Sequence, residues 1–344
     1  MNSTRRSLAD RLGAASRSAV DLPSLAATVC STVAAEVPYA FGCLATTDPA
    51  TGLIGWTYKT RPLELGDEDF AAAEYGGKDV NQFAEIATRP EPVGVLSIDT
   101  GGQVDDCQRH REFMAPRFGF TDELRVAFRA QGLTWGFLAL YRGTGETPFS
   151  ARDAQVVVGV HEVVGHAIRR AMFLPVTPGT AVVPGPAVVI VDGSDRVRDI
   201  TTPARAAIEE LGGWDSESLP TSVLAVAVRA RTEPDLATTR VRGRSGRWLT
   251  LRATTLDGPT ERADVVVTFE ATPATDLGGL TLAARGLTAR ELDVARLVLQ
   301  GASTRVIATT LHLSPHTVQD HLKNIFSKLD VSSRREMVAQ LALP

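Results

Sequence analysis

The residues best suited to chemistry in this sequence lie near its carboxyl-terminal end, on one face of a predicted helix. Ser314 and Pro315 predict the start of that helix, because serine caps helices and proline fits the first helical position. Its apolar residues recur at the spacing of one helical stripe: Val318, Leu322, Ile325, Phe326 and Leu329. The opposite face carries Gln319, Asp320 and Lys323, whose side chains can hydrogen-bond the edges of bases. The pattern predicts a surface that reads a nucleic acid groove.

Each polar residue of this region has an expected role. Gln319 suits an adenine edge, Asp320 can accept a hydrogen bond from the cytosine amino group, and Lys323 can reach guanine or a phosphate. Three further residues fit contacts to the DNA backbone that would position the helix: Arg305, Thr317 and Lys328. The alternative is that all these side chains only form a solvated helix face. Under the first interpretation the partner is double-stranded DNA.

Two shorter helices are predicted just before this one. Thr288 and Glu291 have the spacing of a capping box, in which each side chain accepts a hydrogen bond from the other residue's backbone N–H. That helix is expected to end at Gly301, and Ser303 is expected to cap the next, which reaches Leu311. Two short helices joined by a tight turn, the second with a polar free face, are the plan of a helix-turn-helix.

The segment also resembles the LuxR-type family of helix-turn-helix domains. The matching residues are Leu287-Thr288, Arg290-Glu291, Gly301, Ser303, Ile307-Ala308, Leu311, Ser314, Thr317-Val318, His321, Asn324-Ile325, Lys328-Leu329, Val331 and Arg334. The resemblance implies an all-α domain of four helices over residues 284–344. It also implies that the last helix, residues 334–341, often forms a dimer contact.

The chain departs from the family pattern in two places. Many members have Asn-Lys-Glu after the serine of the second helix, where this chain has Thr304-Arg305-Val306. Many carry a lysine after Thr-Val, where this chain has Gln319. The loss of that lysine is expected to weaken the attraction to phosphates and to alter base preference, without affecting the fold.

Charge is unevenly distributed along the chain. The whole sequence has a net charge of −4, whereas residues 284–344 contain eight Lys and Arg against five Asp and Glu, a net of +3. An acidic body limits non-specific attraction to DNA and leaves DNA contact to the basic carboxyl-terminal domain.

Several other classes of protein are not predicted. Cys30, Cys43 and Cys107 are spaced irregularly, which indicates neither a disulfide framework nor a zinc site and favours a reducing, cytoplasmic compartment. No apolar run reaches the roughly 18 residues of a membrane span. No phosphate-binding loop or G-x-S-x-G motif predicts an enzyme. His161 and His166 are one position too far apart for an HExxH zinc pair, so no metal site is expected.

The first segment, residues 1–175, is predicted to be an α+β domain. Its strongest hairpin joins residues 124–130 and 133–141 through Gln131-Gly132. Ser150 is predicted to cap one long helix that runs to about Met172, with Asp153 near its positive end. The strand Trp135-Gly136-Phe137-Leu138-Ala139-Leu140-Tyr141-Arg142, a short loop and Pro148-Phe149-Ser150-x-x-Asp153 resemble the end of a GAF domain. No tetrapyrrole or cyclic-nucleotide motif is recognisable, so the resemblance implies no particular cofactor.

The second segment, residues 185–272, has a different predicted order: two strands, helices, then three antiparallel strands. This order is similar to that of a PAS-like domain. No internal repeat is evident. The fold class expected for the whole chain is therefore multidomain, with a GAF-like α+β domain, a PAS-like α+β domain and an all-α helix-turn-helix domain.

The function expected from these observations is that of a one-component transcription regulator. Its two α+β modules would couple an unidentified signal, for which a small-molecule effector is one candidate, to DNA binding by a homodimer. Two alternatives remain open. One is a quorum regulator that binds an acyl-homoserine lactone, because Trp56 and Tyr58 resemble the aromatic-rich pocket of those proteins. The other is a ligand-free GAF/PAS body that only dimerises or binds proteins.

Overall fold

A computed structural model of the chain describes residues 7–19, 21–63, 67–174, 185–214, 218–233, 237–256, 263–273, 276–277, 280, 282 and 285–342. The chain divides into two compact units, Met1–Ala271 and Thr272–Pro344. We call them the sheet unit and the helical unit. Within the described residues, no helix is long and apolar enough to cross a membrane.

The first module of the sheet unit is built on a five-stranded antiparallel sheet with the order β2-β1-β5-β4-β3. Its strands are β1 (Phe41–Thr47), β2 (Ile54–Lys59), β3 (Val93–Val95), β4 (Phe120–Ala130) and β5 (Leu133–Gly143). The predicted hairpin is confirmed: β4 and β5 join through Gln131 and Gly132, with φ of 54° and 75°. Positive φ at both positions gives the turn that matches the twist of paired strands.

Helices flank this sheet. They are α1 (Leu8–Ser18), α2 (Leu22–Ala34), α3 (Asp67–Tyr75), α4 (Phe83–Ile86), α5 (Leu96–Asp99), α6 (Ala115–Phe118), α7 (Ala151–Val158) and α8 (His161–Ala171), with a 3-10 turn at Val104–Asp106 and a π-helical turn at His110–Met114. Helix α8 packs on β4 and β5, and α1 and α2 pack beside it.

The prediction of one long helix after Ser150 is wrong, because the segment forms two helices. Helix α7 ends at Gly159, and the backbone of Val160 leaves the helical region (φ −114°, ψ 2°) before α8 begins. Glycine is a poor helix former, so the chain bends there at little cost. The predicted cap is confirmed, since Ser150 and Asp153 each accept a hydrogen bond from the other's backbone N–H.

A buried ionic network lies on the same sheet face as Phe137, Ala139 and Tyr141. Glu123 and Arg125 are neighbours on one face of β4, because successive strand side chains alternate. Arg125 Nε donates to Glu123 Oε1 at 2.7 Å, and its Nη1 donates to Glu74 Oε2 at 2.6 Å. Arg109, also buried, donates to Glu123 Oε2 at 2.5 Å. Burial raises the pKa of the Glu123 carboxyl, but the two guanidinium groups outweigh it, and the net result is a pKa lowered to about 2.

The second module has the predicted order of two strands, helices and three strands. Its elements are β6 (Ala187–Val191), β7 (Val197–Ile200), α9 (Thr202–Glu210), α10 (Thr221–Thr232), β8 (Thr238–Arg242), β9 (Trp248–Thr255) and β10 (Val265–Ala271). The sheet order is β7-β6-β10-β9-β8. Counted within each module, both sheets therefore have the strand order 2-1-5-4-3. The structure thus repeats an architecture for which the sequence shows no repeat.

Helix α10 joins the two modules. Its residues from Val223 to Ala227 are all fully buried, so no side of this helix faces water. It packs on β8, β9 and β10 of its own module and on α3 and β2 of the first. One hydrophobic cluster accordingly contains residues of both sheets, and the two modules share a core.

The helical unit contains the four predicted helices. They are α11 (Ala289–Leu299), α12 (Thr304–Thr310), α13 (Pro315–Leu329) and α14 (Arg334–Ala342). The predicted caps at Thr288, Ser303 and Ser314 are all confirmed by bonds from backbone N–H groups. The predicted stripe of α13 forms the core, in which Val318, Leu322, Ile325 and Leu329 are buried and Phe326 is half-buried.

Candidate nucleic-acid interface

A short turn sets the start of α13 against the end of α12. His312 has a left-handed backbone with φ of 53°, which reverses the chain immediately after α12. Ser314 Oγ then accepts a hydrogen bond from the Thr317 N–H at 3.0 Å and lies 2.8 Å from Thr317 Oγ1. Because the first N–H groups of a helix lack intrahelical partners, this cap fixes where α13 begins.

Three long side chains hold the four helices together. Arg290 on α11 donates to the carbonyl of Leu311 at the end of α12. Arg334 on α14 donates to the carbonyl of Ala302, which precedes α12. These bonds satisfy carbonyl groups near helix ends and lock α12 between its neighbours. Both arginines are among the residues that resemble the LuxR-type pattern, but neither of these bonds is visible from local spacing.

Lys328 provides the third connection. Its Nζ lies 2.6 Å from Glu291 Oε2, which also accepts a hydrogen bond from the Thr288 N–H at 2.6 Å. The Glu291 side chain is only 5% exposed, whereas that of Lys328 is 34% exposed. Burial alone raises the pKa of Glu291, but the bonds from Lys328 and Thr288 outweigh it, so that its pKa lies below the usual glutamate value. Glu291 of the α11 capping box thereby also forms an ion pair with Lys328 of α13.

The residues predicted to read bases lie together on the exposed face of α13. Gln319, Asp320 and Lys323 are all exposed. Val318 and Leu322, on the opposite face of the same helix, are buried. Gln319 Nε2 is 3.4 Å from Thr304 Oγ1 at the start of α12. In the part of the chain that the structure describes, no carboxylate forms an ion pair with Lys323. The Lys323 ammonium is therefore available to an external anion.

The residues predicted to contact the DNA backbone are in different settings. Arg305 is exposed on α12, and Thr317 is half-buried beside the Ser314 cap. Lys328 differs from the expectation, because the structure gives it an internal partner in Glu291. Contacts of Arg305, Thr317 and Lys328 with phosphates all stay predictions.

His316 is a further polar residue of this face that the sequence analysis did not select. Its side chain is 88% exposed, and its Nδ1 lies 3.1 Å from Asp320 Oδ2. The signal was present, because residues four positions apart on a helix are neighbours. The pair orients the Asp320 carboxylate in the amino-terminal half of α13. In helix-turn-helix proteins, the amino-terminal residues of the recognition helix contact base edges.

The helical unit matches a known family. Residues 285–341 match the family described as bacterial regulatory proteins, luxR family. The monoamine regulon transcriptional regulator of Klebsiella aerogenes is 43% identical over 58 residues, which are 17% of this chain and 26% of that protein. The nitrate/nitrite response regulator protein NarP of Escherichia coli is 48% identical over 48 residues, which are 14% of this chain and 22% of that protein. The chain thus spans about a quarter of the length of these relatives.

Two similar solved structures have only a distant likeness to this chain. SdiA of Escherichia coli is 12% identical with a TM-score of 0.32, and the alignment covers 91% of this chain and 92% of that chain. The VqmA dimer of Vibrio cholerae is 18% identical with a TM-score of 0.21, and its alignment covers 46% of this chain and 82% of that chain. The match that bears on function is therefore the one to the helical unit.

Proposed function

We propose that this chain is a DNA-binding transcription regulator whose helical unit is a LuxR-type helix-turn-helix domain. The observation that carries the proposal is the exposed face of α13, where Gln319, Asp320 and Lys323 lie opposite the packed core of the same helix. The match of residues 285–341 to the luxR family supports it.

In this proposal α13 enters the major groove with its amino-terminal half nearest the bases. Gln319 and Asp320 then face base edges, and Lys323 bonds a guanine or a phosphate one turn later. Arg305 and Thr317 contact the phosphate backbone and fix the register of the helix. The bonds of Arg290, Lys328 and Arg334 keep the three contacting segments in a fixed relative position, so little ordering is needed on binding.

The role proposed for the sheet unit is sensing and dimerisation. The closing hairpin and the Ser150-capped helix support a GAF-like first module, and the order of two strands, helices and three strands supports a PAS-like second module. A ligand-free dimerisation body is the second candidate. One observation favours it for the first module: the apolar chamber lined by Phe41, Phe83 and Tyr141 has a volume of only about 40 Å³, far below the roughly 300–1,000 Å³ of typical ligand sites.

The experiment that tests DNA recognition removes Lys323. Duplexes selected by the full-length protein from a random library would be labelled, and their affinity for the Lys323→Ala variant measured across a salt series. The salt slope is the change in the logarithm of the DNA affinity with the logarithm of the salt concentration. Loss of one phosphate contact lowers its magnitude by about 0.9 for all DNA sequences. Loss of a base contact instead costs about 1–3 kcal/mol at one position. If Lys323→Ala leaves the DNA affinity and its salt dependence unchanged, α13 does not bind in the major groove.

The matched control is Arg296→Ala. Arg296 lies on α11 in the same unit and its side chain is 61% exposed, so this variant loses one positive charge away from the proposed interface. We expect its affinity to stay within twofold of the unmodified protein. A loss equal to that of Lys323→Ala would mean that net charge, and not the face of α13, determines binding.

A further inference from the structure

A cavity of about 300 Å³ lies between the two modules of the sheet unit. Residues of β2 and α3 line it from the first module, and residues around α9, α10 and the β8–β9 turn line it from the second. Those with side chains that can bind a ligand are Trp56, Thr57, Asp67, Trp214, Thr221 and Arg244. The volume falls at the lower end of the range of small-molecule sites, about 300–1,000 Å³. It is several times larger than the apolar chamber described above.

Two indole side chains are its most distinctive feature. Trp56 and Trp214 are both half-buried at this cavity, whereas Trp135 and Trp248 are buried and pack against Phe173. Within the described residues, neither Trp56 nor Trp214 stacks on another ring. Contact between an indole face and another planar ring is energetically favourable. The cavity thus offers the exposed parts of two large aromatic side chains, of which Trp214 also packs against the hydrophobic core.

The charged side chains that line the cavity are Asp67 and Arg244. Asp67 is already satisfied, because its Oδ1 lies 2.8 Å from Lys59 Nζ and its Oδ2 accepts from Thr221 Oγ1 at 3.2 Å. Arg244 is exposed and donates to the carbonyl of Gly212. Across the described ranges it forms no ion pair. A guanidinium group binds a carboxylate through two parallel hydrogen bonds, so Arg244 is an open partner for an acidic ligand.

We propose that this cavity binds a small aromatic carboxylate. The ring would lie against Trp56 and Trp214, and the carboxylate would bond Arg244. An amine is disfavoured, because Arg244 repels it and Asp67 is already paired with Lys59. Trp56 belongs to the first module, and Trp214 and Arg244 belong to the second. A bound ligand would therefore contact both modules at once. The proposal assigns an effector class to the regulator and rests on the proposed function for its regulatory meaning only.

The acyl-homoserine lactone alternative gains no support from this geometry. Trp56 lines the cavity between the modules, but Tyr58 lines neither this cavity nor the apolar chamber. The two residues that suggested such a ligand therefore do not line either of these two cavities together.

The test uses the full-length protein and calorimetric titration with benzoate, phenylacetate and indole-3-acetate. Benzamide serves as the neutral isostere and benzylamine as the cation. We expect at least one of the three carboxylates to bind, and its neutral and cationic counterparts to bind at least tenfold more weakly. Arg244→Gln should weaken carboxylate binding at least tenfold. Trp214→Leu should weaken binding of all the aromatic probes. Arg205→Gln is the matched control, since Arg205 is exposed on α9 and does not line the cavity.

Three results would overturn the proposal. They are the absence of binding by all three carboxylates at millimolar concentration, equal binding of benzoate and benzamide, and unchanged carboxylate binding by an Arg244→Gln variant with an unchanged melting temperature. These titrations contain no DNA, so their failure leaves the proposed DNA recognition standing. Conversely, the Lys323→Ala experiment contains none of the three aromatic carboxylates. A negative result there would leave the proposed carboxylate site untouched.

Discussion

Replacing Lys328 by methionine separates the fold of the helical unit from its contact with DNA. The substitution keeps the length and apolar stem of the side chain but removes the ammonium that lies 2.6 Å from Glu291 Oε2. A hydrogen bond to a charged group contributes about 1.5–3 kcal/mol. Since the Lys328 side chain is 34% exposed, solvent screening lowers this, and we expect a loss of about 1–2 kcal/mol in the free energy of unfolding of the helical unit.

The destabilisation expected for Lys328→Met should depend on pH in a definite direction. The pKa of Glu291 is lower in the folded state than its ordinary value. Its ionised form therefore stabilises the fold above the unfolded pKa of about 4.3, and that contribution is lost as the pH falls through the folded value. The destabilisation caused by Lys328→Met should accordingly be largest near pH 7 and shrink as the pH falls below about 4.3.

Hydrogen exchange of backbone amides is the appropriate assay, because all four tryptophans lie between Trp56 and Trp248 and do not report on the helical unit. Peptides from α11 and α13 should exchange faster in Lys328→Met. Lys323→Met is the matched control on the same helix, and its amides should exchange as in the unmodified protein. The reasoning is refuted if Lys328→Met keeps full protection in α11 and α13 and loses as much DNA affinity as Lys323→Met. Phosphate would then be the main partner of Lys328.

Three further predictions concern the two units. Leu322 is 4% exposed in the core of the helical unit, so Leu322→Ala should lower its free energy of unfolding by about 2–5 kcal/mol; hydrogen exchange unchanged in α13 would contradict this. The pKa of Glu123 is lowered to about 2, so its contribution to the sheet unit should be complete above about pH 4.3 and be lost as the pH falls towards 2. Glu123→Gln should remove that part of the acid transition followed by tryptophan fluorescence. Burial raises the pKa of Cys30 to about 12 and that of Cys107 to about 11, so both thiols should resist iodoacetamide at pH 8 until denaturant is added, and rapid native alkylation of either would count against its burial.

The helical unit was predictable because its signals are local. Each cap at Thr288, Ser303 and Ser314 acts within three residues, and the stripe of α13 repeats within one helix. The ion pair between Glu291 and Lys328 joins residues 37 positions apart, and nothing in the spacing of either residue indicates the other. The charge of Lys328 alone therefore predicted a contact with the DNA backbone.

The sheet unit was predictable in its elements but not in their assembly. The hairpin at Gln131-Gly132 has turn chemistry that determines its own geometry. Helix α10 was predicted as a helix, yet an apolar surface on all sides does not indicate which neighbours cover it. The cavity between the modules is equally invisible in the sequence, because Trp56 and Trp214 are far apart in the chain and line one cavity only in the packed fold. The break at Gly159 was missed because a periodic apolar pattern continues on both sides of it.

The position of α10 also has a consequence for how this protein is made. The ribosome completes α8 at Ala171 about 50 residues before it begins α10 at Thr221. At about 5–20 residues per second, the nascent first module waits several seconds for the helix that covers α3 and β2. Throughout that interval it presents an apolar surface to other nascent chains and to chaperones. A truncation that cuts between the two sheets would leave this surface of the first module uncovered.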